Sequence, residues 1–307
     1  MRSIFIESLV RHAATKDSLF LITGDLGFGV IEPFCEQFPE RFLNAGVAEQ
    51  SMVGVAAGLA KTGRHVFVYS IANFPTFRAL EQIRNDIAYH RLPVTIVSVG
   101  AGLGYGTLGY THHAVEDIAV MRALPNMAVY SPADAFEVEA CLDDIVARAE
   151  PSYLRLGKGG ESLIHKEKPH AIEAGLKVFG QGGKVLVLST GEITASVLQA
   201  CEILDDDVAK DIVVFSLPVL KNETIERFAE NSFDAIVTVE EHSVRGGLGS
   251  LVAEIYAPRS SRPAVLSIGL LNTQDPVVGS HSFLRNHHGL SAESIAAKLQ
   301  NIRKAKA

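Results

Sequence analysis

The 307-residue chain has three cysteines, Cys35, Cys141 and Cys201, odd in number and far apart. They form no C-x-x-C pair, which excludes a sequence-readable zinc ribbon or disulfide framework. A reducing cytoplasm is the compartment expected from that usage. No apolar run reaches membrane-span length. The opening segment, MRSIFIESLVRHAATKDSLF, interrupts its apolar pattern at Glu7 and Arg11, unlike a secretory signal. Positive charge is in deficit, with 28 Lys and Arg against 35 Asp and Glu. With no basic stripe, nucleic acid is not an expected partner.

What is present is a globular balance, 47% hydrophobic and 21% charged, at a length that suits about two domains. Short apolar runs alternate with helical periodicities. Strands are expected at 19–23, 41–44, 65–70, 94–99 and 127–130. Helices are expected at 3–15 after an N-cap Ser3, 49–61, 76–89, 114–123 and 134–149. After a polar, glycine-containing stretch the alternation restarts, with strands at 184–189, 212–216, 235–239 and 264–268. The later helices are placed at 193–204, 249–256 and 292–300. Alternation of this kind means parallel α/β sheets. The expectation is two doubly wound domains, 1–165 and 184–307, joined by a linker at 166–183.

Residues 104–109, Gly-Tyr-Gly-Thr-Leu-Gly, formally match the dinucleotide fingerprint G-x-G-x-x-G. That motif needs its glycines to open a helix directly. Here the loop begins at Gly100, and Tyr110-Thr-His-His intervenes before any helix. A nicotinamide or flavin dinucleotide site is therefore the weaker reading.

Three segments carry a more specific pattern: Arg41-Phe-Leu-Asn-Ala-Gly-Val-Ala-Glu-Gln-Ser-Met-Val-Gly-Val-Ala-Ala-Gly-Leu-Ala60, Tyr110-Thr-His-His-Ala-Val-Glu-Asp-Ile-Ala, and Val239-Glu-Glu-His-Ser-Val-Arg-Gly-Gly-Leu-Gly-Ser250. In order and spacing they resemble the transketolase family, including 1-deoxyxylulose-5-phosphate synthase and two-gene transketolases. The resemblance implies a pyrimidine-binding domain followed by the family's C-terminal domain. Full-length relatives also carry a diphosphate domain with a Gly-Asp-Gly motif. This chain has none, only Gly24-Asp25-Leu26. The resemblance thus implies an enzyme half, a thiamine diphosphate-dependent transferase of two-carbon units. It would be completed by an N-terminal-half subunit holding the diphosphate and most of the Mg2+ ligation, in an α2β2 heterotetramer. Substrates would be small sugars or 2-oxo acids.

The resemblance also assigns roles. Glu49 would share a proton with the cofactor's aminopyrimidine N1′, for which an apolar wall is needed; Val47, Ala48, Met52 and Val53 supply one. An ordinary first-turn glutamate is the alternative. Phe74, and secondarily Phe77, would stack on the flat ring; core packing is the alternative. Asp25 is a further candidate cofactor contact. His112 would meet substrate oxygens and assist proton transfer, with His113 beside it. Arg155 would bind an acidic end of the substrate, or form an ordinary ion pair. Thr107 and Leu108 stand where sugar-using relatives carry an acidic pair, so Leu108 disfavours a substrate hydroxyl there. The Gly246–Gly249 loop is read as a folding and dimer-packing element. A 2-oxo-acid dehydrogenase β chain and a noncatalytic thiamine-enzyme homologue are the competing readings. The Thr-His-His stretch argues against the first and Glu49 against the second.

Overall fold

The computed structural model describes residues 1–304. A first sheet is built from β1 (Leu19–Thr23), β2 (Phe42–Asn44), β3 (His65–Ile71), β4 (Val94–Val99), β5 (Ala128–Tyr130) and β6 (Ser152–Leu156). Its order is β2-β1-β3-β4-β6-β5 and every pairing is parallel. A second sheet comprises β7 (Leu176–Phe179), β8 (Val185–Thr190), β9 (Ile212–Ser216), β10 (Ala235–Ser243) and β11 (Ala264–Leu270), in the order β11-β10-β8-β9-β7. β7 is its antiparallel edge.

The inner strands are apolar because both faces are covered. Along β3, Val66 and Val68 enter one core with Met52, Val53 and Ala56 of helix Glu49–Lys61. Phe67 and Tyr69 enter the other, with Phe5, Ile6 and Leu9 of helix Arg2–Ala13 and Val138, Leu142 and Ile145 of helix Ala135–Arg148. This is the two-residue period of a strand read out on two layers. The first of these cores runs on into the second domain through Leu186, Leu188, Leu217 and Leu248. Among the described residues no helix is long and apolar enough to cross a membrane. Cys141 and Cys201 are buried free thiols and Cys35 is half-buried.

Several expectations need correcting. Leu176–Phe179 is a strand of the second sheet, so 166–183 is not wholly a connector. β6 was not expected, because its buried Ser152 and Arg155 break the apolar run. Helix one starts at Arg2, leaving Ser3 inside its first turn rather than at the cap. The helix expected at 76–89 is instead two π-helical stretches, Phe74–Arg78 and Ile83–Ala88, around one α turn, Leu80–Gln82. π-type widening is often found at functional sites. The short helices Glu32–Gln37, Asn222–Phe228 and His281–His287 were also unforeseen.

Candidate active site

In a doubly wound sheet the carboxyl ends of the strands open a crevice where strand order reverses. In the first sheet the reversal lies between β1, which pairs with β2 on one side, and β3 on the other. Asp25 follows β1, Glu49 follows β2, Phe74 follows β3, and the 100–113 loop follows β4. The sheet therefore gathers at one edge candidates that are far apart in the chain.

Glu49 opens its helix and is 5% exposed, against buried Met52 and Val53. Its Oε1 accepts a hydrogen bond from Arg78 Nη1 at 2.9 Å. The Arg78 guanidinium also lies 4.0 Å from the centroid of the Phe74 ring. A flat, delocalised, N–H-bearing group thus stacks on Phe74 while donating to Glu49. An aminopyrimidine needs that same pair of contacts, so the residues present fit such a ring. Arg78 was not singled out from sequence. Its i,i+4 spacing from Phe74 would have been the signal.

His112 joins this group. Its ring meets Phe74 edge-on at 5.2 Å and Tyr105 at 6.3 Å, and its Nδ1 lies 3.0 Å from Thr111 Oγ1. Leu108 is 52% exposed in the loop that follows β4. Phe77 is exposed one turn beyond Phe74. Asp25 takes a left-handed conformation, φ 58°, locked to Asn44 by paired hydrogen bonds of 3.0 Å. It is exposed at the same edge.

Two candidates stand elsewhere. Arg155 is 2% exposed. Its Nε donates to Asp117 Oδ2 at 2.8 Å, and its Nη2 donates to the carbonyls of Ala114 (2.8 Å) and Glu241 (3.0 Å). A guanidinium so fully engaged joins the two domains and is not free for a substrate anion. His113 is buried, and burial lowers its proton affinity, so it faces protein rather than open crevice. Lys158, exposed and three residues after Arg155, places its ammonium 4.9 Å from the Tyr105 ring centroid. Lys158 and Arg2 line a cavity of about 520 Å³ with Thr107, Glu192, Ser280 and His281. A larger cavity, about 690 Å³, lies at the start of β5, away from this edge. Two of its cations, Arg122 and Arg148, are paired with Glu254 and with Asp144 and Glu173, so it is not the chemical centre.

The pyrimidine binding domain of transketolase matches residues 1–160, and the transketolase C-terminal domain matches residues 175–295. A chain from Methanocaldococcus jannaschii described as a transketolase C-terminal section is 38% identical, covering 97% of this chain and 95% of that one. One subunit of the apulose-4-phosphate transketolase of Actinobacillus succinogenes is 32% identical, covering 96% of each. A solved split-gene transketolase, described as an inactive β4 tetramer, superposes with a TM-score of 0.85 at 33% identity, covering 98% and 96%. Transketolase from Leishmania mexicana shares the fold, with a TM-score of 0.80 at 18% identity over 45% of its length.

Fold and domain matches together define a two-domain α/β chain of the transketolase pyrimidine-binding and C-terminal type. The chain belongs to the transketolase family, and it is a transketolase-like enzyme subunit of the kind found in split enzymes.

Proposed function

We propose that this chain is the pyrimidine-site half of a thiamine diphosphate-dependent transketolase. It would move a two-carbon unit from a ketose or 2-oxo-acid donor to an aldehyde, and work only with a diphosphate-binding partner chain. The carrying observation is the convergence of buried Glu49, half-buried Phe74 and His112 at one sheet edge. Thiamine diphosphate, when bound, supplies the carbanion chemistry that breaks and forms the C–C bond. Glu49 would hold a proton at the pyrimidine N1′, Phe74 would support one face of the ring, and His112 would donate to or accept from substrate oxygens. Arg78 would have to yield its place over Phe74.

The partner reading has its own support. The outer face of helix Glu49–Lys61 presents Ser51, Gly54, Val55 and Gly58 to solvent, small side chains that permit close backbone approach. Phe28, in the loop after β1, and Val47, two residues before the helix, are 74% and 72% exposed, apolar surface that suits an interface. The homologous β4 tetramer is described as inactive, in keeping with a need for a second chain holding the diphosphate and Mg2+. An α2β2 assembly follows if a partner chain binds this chain and the chain also pairs with a second copy of itself.

Leu108 favours a donor that lacks a hydroxyl at that point. Relatives named for apulose 4-phosphate and for 6-deoxy-6-sulfo-D-fructose, 32% and 30% identical, favour a modified sugar.

The test is Glu49→Gln in the reconstituted complex. Exchange of the cofactor C2 proton, followed by NMR, should slow by about a hundredfold or more, within the range for general acid–base groups. Unchanged exchange would remove Glu49 from this role.

A further inference from the structure

We propose that Glu241, a residue of the second domain, is a positioning residue for the substrate side of the first. Its carboxylate sets the path of loop 103–113, and through it the places of Leu108 and His112. The kinetic part of this inference rests on the function proposed above; the structural part does not.

The carboxylate is 2% exposed. Its Oε1 accepts from the backbone N–H of Leu103 at 2.7 Å and lies 2.7 Å from His281 Nε2. Its Oε2 accepts from Arg285 Nε. Burial alone would raise its proton affinity, but Arg285 and His281 outweigh burial and hold it well below the usual carboxylate range. The charge is therefore permanent at working pH. The backbone carbonyl of Glu241 takes a bond from Arg155, whose guanidinium also holds Ala114 and Asp117. One residue thus grips both feet of the loop.

Other contacts make the grip specific. Gly102 and Ala114 close the stem with reciprocal bonds of 3.0 and 2.9 Å. Leu103 and Val115 bury their side chains in the second domain's core, beside Val239 and Leu284. Gly102 has φ 58°, and a Cβ there would run into the Glu241 carboxylate. Glycine is needed for both reasons. Beyond the stem the loop is open, with Leu108 52% and Tyr110 48% exposed. A stem held from the second domain and an exposed tip is the layout of a positioned loop.

Glu192, Glu241 and His281 bring donor atoms within metal-binding reach of one another. Arg285 also bonds Glu241 and Glu192, the latter at 2.9 Å, so its charge already serves where a cation would. An ion pair for stability alone does not explain the arrangement either. Arg285 and His281 already share Glu192, whereas the buried N–H of Leu103 points at Glu241.

Hydrogen exchange by mass spectrometry on the full chain tests the grip without any activity. In Glu241→Ala, peptides spanning 100–113 should exchange about tenfold faster, the effect of one lost buried hydrogen bond. Peptides of β3 and β8 should not change. Gly102→Ala, which leaves the Glu241 ion pairs in place but pushes the loop off the carboxylate, should show the same local pattern and covers the case of a poorly folding Glu241→Ala. In the partner complex both variants should lose about tenfold in kcat/KM for the donor, while C2 exchange stays within about twofold of wild type. Unchanged exchange at 100–113 in either folded variant would overturn the proposal, and so would acceleration spread evenly over the second domain. Absence of C2 exchange in the wild-type complex would instead sink the thiamine reading and leave the loop result standing.

Discussion

At the scale of single residues, burial separates the candidates. Glu49 and Arg155 are comparably buried, at 5% and 2%. Glu49 pairs with half-exposed Arg78, which can move. Arg155 is held by Asp117 and two carbonyls and lies inside the domain junction. Charge type alone could not show this. A substrate arginine and a structural arginine look identical in sequence, and the difference is set by Asp117, 38 residues before it, and the carbonyl of Glu241, 86 residues after it. Leu108 is legible in both, as an apolar residue at an exposed loop tip. An aspartate there would add a charge-assisted hydrogen bond to a donor hydroxyl, worth about 1.5–3 kcal/mol. Leu108→Asp should therefore shift the ratio of kcat/KM values between xylulose 5-phosphate and a donor lacking that hydroxyl by roughly ten- to hundredfold toward the former. Initial rates with both donors measure it. An unchanged ratio would show that this side chain does not face the donor.

At the scale of elements, strands with both faces covered were the easiest to read. β1, β4 and β9 fall within the expected bounds because continuous apolar runs mark them. Two strands with polar interruptions were lost, whereas the edge strands β2, β5 and β11 were expected. β7 lies in a glycine-containing polar stretch, and β6 hides Arg155 within its run. The Phe74–Ala88 segment was legible as helical but not as π-widened, since widening depends on what packs around it. The sequence places Asp134 inside a helix at 134–149, whereas it caps helix Ala135–Arg148 and has a second duty. Asp134 Oδ1 accepts from Glu137 N, while Oδ2 accepts from Ile164 N and His165 N, each at 2.9 Å. The cap therefore also holds the chain leaving the first domain. Asp134→Asn can keep the cap but turns an NH2 toward two N–H groups. It should cost about 2 kcal/mol or more, read as a lower urea midpoint with an unchanged m-value. A loss below about 0.5 kcal/mol would mean that the 164–165 contact carries no weight.

At the scale of the whole molecule, buried ionisable groups pull stability in opposite directions with pH. His65 and His242 are held near 4 by burial. Their folded pKa values lie below the unfolded one, so the stability they contribute is full above about 6.5 and is lost as pH falls toward 4. Glu240, pushed up to about 7 by burial, does the reverse over a similar window, and raised His281 also favours the acid side. These contributions oppose one another, so the His65 part is tested by subtraction. His65→Gln should lose less stability than wild type between pH 7 and pH 4.5, by about 2.5 kcal/mol, measured by urea unfolding at the two pH values. Equal losses would mean that His65 is not buried as a neutral ring.

The larger claim at this scale is that one crevice is shared between two polypeptides. The helix that Glu49 opens presents an exposed small-residue face, and the loops after β1 and β2 expose Phe28 and Val47. Isothermal titration of thiamine diphosphate with Mg2+ tests this most directly, first into the purified chain and then into the chain mixed with a diphosphate-domain chain carrying Gly-Asp-Gly. The account predicts no tight binding by the chain alone, and tight Mg2+-dependent binding with one site per pair of chains once the partner is present. Tight binding with turnover by this chain alone would contradict it.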